Sequence, residues 1–162
     1  MMHKQVMLAA ISGSVVLLVA ALGFQYLANL PPCPLCIWQR WAHVFAVVFG
    51  ALALAIGWRL LPVAALLAML AGCGIAFYHV GVEQGMFEGL EGCAGESLSG
   101  QTAVDLLDLS KAVPVAACNE VAWSFVGVSM AGWNGMLSVV LAAMWGLAIV
   151  AHGRGRRLGA GG

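Results

Sequence analysis

Four long runs without a charged residue take up most of this 162-residue chain, and they constrain its fold more than any other feature. The runs cover residues 6–30, 41–58, 60–82 and 121–151. A helix that crosses the hydrocarbon layer of a bilayer needs about 20 apolar residues. We therefore predict an all-α membrane protein, a bundle of four transmembrane helices with spans at about 6–28, 41–58, 60–82 and 126–150.

Composition excludes the main alternatives to a membrane protein. Residues of the AVILMFWYC set make up 62% of the chain, and charged residues make up only 9%, against about 25% charged in soluble domains. Too little polar chain remains to cover four apolar runs as the core of a soluble protein. The net charge is zero, so the chain lacks the basic footprint of a nucleic-acid-binding protein.

The charges are segregated along the chain. All seven acids lie between Glu83 and Glu120, whereas most bases lie near the termini or between the second and third spans. Because short cytoplasmic loops are enriched in Lys and Arg, we expect residues 1–5, the turn around Arg59 and residues 151–162 to be cytoplasmic. The loops at about 29–40 and 83–125 then face outward. The first run is long for a cleaved signal peptide, and we expect it to be a retained span.

The five cysteines divide by position. Cys33 and Cys36 form a C-P-L-C motif in the first outer loop, and Cys93 and Cys118 lie in the long outer loop. Thiols on the oxidising face of a membrane commonly form disulfides, so these four indicate two pairs. Cys73 lies within the third span between Gly72 and Gly74, where small residues favour close helix contact, and we interpret it as a packing residue.

The C-x-x-C motif has several interpretations. Haem attachment needs a His after the second Cys, where this chain has Ile37, and a thioredoxin motif needs a βαβ context that is missing here. A zinc site that recruits Cys93 and Cys118 stays open. A redox pair at a helix start fits the flanking prolines, and the helix dipole would lower the pKa of a thiol there. Arg40 shares a helix face with both cysteines, either as a functional cation or as an interfacial anchor.

Three classes of function are consistent with these features. The first is an enzyme that passes electrons between the two cysteine pairs. The second is a structural four-span protein with a disulfide-stapled outer loop, and the third is a metal-binding membrane protein. The spans hold no carboxylate, which disfavours ion transport. Within the long outer loop, residues 102–113 are partly apolar; a short helix on the membrane surface and an ordinary loop helix both remain open.

Three segments resemble the bacterial disulfide bond formation protein B family (DsbB). Residues 32–40 (PCPLCIWQR) resemble its P-C-x-L-C-x-x-x-R segment, and residues 79–83 (HVGVE) resemble the end of its third helix. Residues 118–134 resemble its C-x-x-x-x-W…G-x-S…W-N stretch. The likeness covers nearly the whole chain. It departs at Gln39, where many members carry an acid, and around Cys93, which lies in a glycine-rich acidic setting.

The resemblance implies a quinone-dependent thiol:disulfide oxidoreductase of the bacterial inner membrane, with periplasmic cysteines and cytoplasmic termini. Its partner would be a DsbA-type periplasmic thiol oxidase, which in reduced form attacks the Cys93–Cys118 disulfide at Cys93. Cys118 would then exchange with Cys33, and Cys36 would face a bound quinone, either ubiquinone or menaquinone.

Two further residues gain roles from the resemblance. Arg40 and His79 would bind the quinone, and no metal is implied. His79 is alternatively an interfacial histidine without chemistry, and Glu83 either orients His79 or is a solvated loop charge.

Overall fold

In a computed structural model, residues 2–90 and 116–159 are described, the side chains of Met2 and of residues 154–159 excepted. Four long helices follow one another: α1 (Met2–Tyr26), α2 (Pro34–Ile56), α3 (Leu60–Glu83) and α4 (Met130–Gly159). A two-stranded hairpin, β1 (Ser124–Phe125) and β2 (Val128–Ser129), precedes α4. The region 102–113, with its two open interpretations, lies outside the described residues.

The helices form a closed four-membered bundle. α2 packs against α1 and α3, and α4 packs against α3 and α1. Each helix contains a segment long and apolar enough to cross a membrane: His3–Tyr26, Pro34–Ile56, Leu60–Glu83 and Met130–Gly153. The predicted fold class, a bundle of four membrane-spanning helices, is thereby confirmed.

The interior of the bundle is built from small residues, while large apolar side chains face outward. The main buried cluster contains Ala10, Ala46, Ala65 and Ala148 around the fully buried Trp145. Leucine, valine and phenylalanine side chains on the outer faces of all four helices are exposed. Membrane helices pack through small residues and leave large apolar side chains to lipid, so this distribution suits a bilayer.

Polar residues are buried between the helices. The buried polar side chains among the described residues are Ser14, Gln39, His43, His79 and Ser138. They lie on α1, α2, α3 and α4, so every helix contributes at least one polar group to the interior. A polar group in a membrane interior is costly unless it is hydrogen-bonded.

Local sequence sets where two of the helices begin or end. α2 begins at Pro34, whose fixed φ suits the first helical position. It ends at Ile56 and is capped by Gly57, which adopts a left-handed φ of 74°. Before α4, Val126 and Gly127 have φ values of 52° and 74°, as the tight turn of a hairpin requires. Because those two residues form the turn, α4 begins at Met130, four residues after the predicted start of the fourth span at residue 126.

Candidate active site

The two cysteines of the C-P-L-C motif lie at the N-terminus of α2. Cys33 is the N-cap residue, and its Sγ accepts a hydrogen bond of 3.2 Å from the Cys36 backbone N–H. The two Sγ atoms are 2.9 Å apart, and both cysteines are free thiols. A disulfide bond would be about 2.05 Å long, so the structure describes the reduced form of this pair.

Several hydrogen bonds converge on the sulfur of Cys33. They lower its pKa to about 4, chiefly through the Cys36 side chain, with further contributions from His79 and the Cys36 backbone N–H; burial acts in the opposite direction. Cys33 is only 3% exposed. The thiolate is the nucleophilic form of cysteine, so Cys33 carries the reactive charge in the reduced pair.

His79 reaches Cys33 from the last turns of α3. Its Nε2 lies 3.6 Å from the Cys33 Sγ, and its Nδ1 lies 2.9 Å from the Gln39 Nε2. Glu83, one turn further along α3, places its Oε1 3.9 Å from the same Nε2, and both side chains are nearly inaccessible to solvent. His79 is therefore part of the cysteine site rather than an isolated interfacial histidine.

Cys118 comes from the segment before the hairpin and is fully buried beside Cys33. The ligand atoms of Cys33, His79 and Cys118 all lie within 4.8 Å of one another. Cys118 is disulfide-bonded, and its predicted partner, Cys93, lies outside the described residues. The fold thus brings together one member of each predicted pair, although 85 residues separate them in sequence.

The same cluster bears on the zinc interpretation, because two sulfurs and an imidazole are typical zinc ligands. A sulfur must be a thiolate to bind a metal, whereas Cys118 is disulfide-bonded. In this redox state the cluster suits thiol–disulfide exchange better than metal coordination.

Arg40 lies on α2 and directs its guanidinium toward α1. Its Nη1 donates to the Gln25 Oε1, and its Nη2 donates to the Ala21 carbonyl oxygen over 3.1 Å. Arginine has five N–H donors, and these two fix the orientation of the side chain. Arg40 also lines the same cavity as Cys33 and Cys36.

A cavity of about 380 Å³ lies beside the cysteine pair. It is bordered by residues 17–24 of α1, 36–43 of α2 and 130–137 of α4. Its wall is mostly apolar, with side chains such as Leu17, Phe24 and Leu137, and it also includes a set of polar groups. Those polar lining residues include Cys36, Gln39, Arg40, His43, His79, Glu83 and Asn134. An apolar cavity of this size with few polar groups is typical of a small-molecule site.

Sequence reasoning missed part of this site. It did not single out His43, it noted Gln39 as a departure from a family pattern, and it included Asn134 in the family-like segment 118–134 without assigning it a role. In the structure Gln39 contacts His79, and Asn134 contacts both Gln39 and His43. The signal that could have found them is the rarity of polar residues within membrane spans, where such residues commonly mark function.

Comparison with known proteins gives consistent matches. The model of the family described as "Disulfide bond formation protein DsbB" matches residues 3–148. Disulfide bond formation protein B of Saccharophagus degradans is 30% identical over 152 residues, which cover 88% of this chain and 90% of the relative. The protein of the same name from Acidovorax sp. is 32% identical over 158 residues, covering 91% and 88%.

A third relative is an uncharacterised protein of Rickettsia prowazekii, 25% identical over 149 residues, which cover 90% of this chain and 87% of that protein. No solved structure matches this chain.

Proposed function

Because this chain belongs to the disulfide bond formation protein DsbB family, we propose that it is a quinone-dependent thiol oxidoreductase that reoxidises a DsbA-type partner. In this proposal two electrons pass from the dithiol of the partner to the Cys93–Cys118 disulfide, then to the Cys33–Cys36 pair, and leave to membrane quinone. The observation that carries the proposal is the distance of at most 4.8 Å between the sulfurs of Cys33 and Cys118.

The first exchange involves the partner and the long outer loop. A thiolate of the partner attacks Cys93, the Cys93–Cys118 bond breaks, and Cys118 leaves as a thiolate. The second thiol of the partner then closes the partner's own disulfide and releases Cys93 as a thiol. The partner has lost two electrons, and both loop cysteines are reduced.

The second exchange takes place inside the site. The Cys118 thiolate attacks Cys33 of the oxidised Cys33–Cys36 pair, which forms a Cys33–Cys118 bond and frees Cys36. Cys93 then attacks Cys118, remakes the Cys93–Cys118 disulfide and releases Cys33. A thiol of low pKa is a good leaving group, so the hydrogen bonds that lower the pKa of Cys33 to about 4 favour this release.

Reoxidation of the Cys33–Cys36 pair is assigned to the 380 Å³ cavity. A bound quinone would supply the acceptor for two electrons and two protons there. The mostly apolar wall fits the ring and the start of an isoprenoid tail. Arg40 would donate to a polar ring oxygen, and His79, whose ring nitrogens face Gln39 and Cys33, would line the cavity beside the ring. Cys36 lines this cavity, so a quinone bound there would lie next to the pair when the Cys33–Cys36 disulfide forms again.

We assign the site to the periplasmic side of the inner membrane, with both termini in the cytoplasm. Lys4 and Arg59 line one cavity, together with the ends of α2 and α4. Those residues lie at the end of the bundle opposite to Cys33. A basic end of this kind supports a cytoplasmic position by the positive-inside rule.

A single variant tests the proposal, because it separates oxidation of the partner from oxidation of the Cys33–Cys36 pair by quinone. In Cys93→Ser, the purified full chain should no longer oxidise a reduced DsbA-type protein, because the sulfur that the partner attacks is missing. The Cys33–Cys36 pair should still be oxidised by added quinone, as measured by thiol trapping and gel shift. Cys73→Ser is the matched control and should keep both activities. Full partner oxidation by Cys93→Ser would contradict the proposed order of exchange.

A further inference from the structure

A line of hydrogen-bonded side chains runs from the cysteine pair into the membrane interior and joins all four helices. Its members, in order from the site, are Cys33, His79 on α3, Gln39 on α2, Asn134 on α4, His43 on α2 and Ser14 on α1. All of these side chains except Asn134 are buried. The exchange mechanism uses only the first two, so the other four need an explanation.

The donor direction at His79 follows from its neighbour. The Gln39 Nε2 is an amide nitrogen, which can only donate, and it lies 2.9 Å from the His79 Nδ1. His79 Nδ1 must therefore be the acceptor. In the neutral imidazole the remaining proton is then on Nε2, the atom that lies 3.6 Å from the Cys33 sulfur.

The donor directions further along the line follow from Asn134 on α4. The Asn134 Nδ2 donates to the Gln39 Oε1 over 2.6 Å, which fixes the Gln39 amide with its nitrogen toward His79. The Asn134 Oδ1 can only accept, so the His43 Nε2, 3.0 Å away, carries a proton. The His43 Nδ1 is then the acceptor for the Ser14 hydroxyl at 3.4 Å.

Every hydrogen bond in this line therefore points the same way, toward Cys33. We propose that Gln39, Asn134 and His43 are positioning residues that lock His79 in the tautomer with Nε2–H, so that this N–H donates to the Cys33 thiolate. The proposal rests on the proposed function, in which that thiolate forms and is consumed. It assigns a role to three residues that do not touch the reacting sulfurs.

The line orients groups rather than carrying protons. Gln39 and Asn134 are both amides, which would have to pass through an unfavourable imidic acid form to relay a proton. Aligned hydrogen bonds in a low-dielectric interior strengthen one another. The effect expected of this line is therefore on the proton affinity of Cys33, which can be measured without any turnover.

The test is the pH dependence of Cys33 alkylation by iodoacetamide in the reduced, full-length protein, with Cys33 followed by mass spectrometry. Asn134→Leu should raise the pKa of Cys33 by about one pH unit, a tenfold change in proton affinity, because Gln39 is then free to turn its amide. His43→Leu should raise the pKa by less, since it removes a more distant donor. His43→Gln keeps an N–H toward Asn134 and should restore the profile of the unmodified chain.

Trp145→Phe controls for altered packing, because Trp145 is fully buried in the same bundle and its Nε1 has no partner among the described residues. Its profile should match that of the unmodified chain. The proposal is overturned if His43→Leu leaves the Cys33 profile unchanged, if His43→Gln shifts it as far as His43→Leu, or if Trp145→Phe shifts it equally. Should Asn134→Leu fail to fold, the His43 pair decides alone.

The outcome is separable from that of the proposed function. Alkylation needs neither quinone nor partner, so a protein that fails to oxidise its partner can still show the predicted shifts. Conversely, unchanged profiles beside normal partner oxidation would remove the positioning role and leave the exchange mechanism intact.

Discussion

At the start of α2, the sulfur of Cys33 accepts hydrogen bonds from the Cys36 backbone N–H and the Cys36 thiol. The His79 imidazole is its third hydrogen-bond partner. These contacts outweigh burial and hold the pKa of Cys33 near 4. The site is therefore a stabilised thiolate, with the sulfur of Cys118 within 4.8 Å of it. The sequence predicted a lowered thiol pKa at this helix start, but the part played by Cys36 as a donor needs the folded geometry.

The first prediction concerns the reactivity of Cys33 in the reduced protein. Because its pKa is about 4, the thiolate is present above that pH, and the alkylation rate should change little between pH 6 and 8. Cys36→Ala removes the largest stabilising contact and should raise the pKa of Cys33 more than His79→Leu does. Rates measured by mass spectrometry from pH 3 to 9 check this order. A Cys33 rate that rises steadily to pH 9 in the unmodified chain would contradict the account.

At the scale of single elements, the end of α3 matters most, because it delivers His79. The chain reverses after Glu83, and the backbone N–H groups of Met86 and Phe87 donate to the Gly81 carbonyl oxygen over 2.8 and 3.2 Å. The Phe87 ring stacks on Tyr78 with a centroid distance of 5.6 Å. A Cβ at Gly81 would lie 2.2 Å from that ring, so only glycine allows this packing.

The second prediction follows from that packing. Gly81→Ala should destabilise the protein by about 1–3 kcal/mol, the usual cost of overpacking, because Phe87 must move. Gly74→Ala, on the same helix, has no atom within 4 Å of the added Cβ and should be neutral or slightly stabilising. Thermal unfolding in detergent compares the two. Equal melting temperatures for both variants would contradict the role given to the Gly81–Phe87 contact.

Elements were predictable to different degrees. Uncharged runs predicted four helices, and the prolines beside the C-P-L-C motif indicated a helix start there. The second span was nevertheless predicted from residue 41, with 29–40 as a loop, whereas α2 begins seven residues earlier at Pro34. The start of α4 at Met130 was not predictable from hydropathy, because Val126 is apolar yet forms a hairpin turn with a positive φ. The contact of His43 with Asn134 was also out of reach, since 91 residues separate the two and only helix packing brings them together.

At the scale of the whole molecule, small and polar residues lie inside the bundle and large apolar residues lie outside it. The charges are segregated along the chain: the seven acids lie between Glu83, the last residue of α3, and Glu120, whereas most bases are Lys4, Arg59 and the three arginines near the C-terminus. The family resemblance seen in residues 32–40 and 118–134 is confirmed by the match over residues 3–148. The fold class and the family were thus predictable, whereas the polar interior depended on the arrangement of the helices.

The third prediction is about orientation in the membrane. In a chain without native cysteines, Asn119→Cys in sealed right-side-out vesicles should react with a membrane-impermeant maleimide. Trp58→Cys, at the opposite end of α2 and also exposed, should react only after the vesicles are permeabilised. The positive-inside distribution of Lys and Arg is the physical reason. Labelling of Trp58→Cys in sealed vesicles would reverse the assignment.

In the proposed function, electrons leave this protein from the Cys33–Cys36 pair to a membrane quinone. The most direct measurement is the redox state of that pair in the reduced full-length protein, reconstituted without oxygen in liposomes with or without oxidised quinone, and read by thiol trapping with mass spectrometry. We expect a Cys33–Cys36 disulfide with quinone and two trapped thiols without it. Two free thiols that persist beside oxidised quinone would contradict the proposed function.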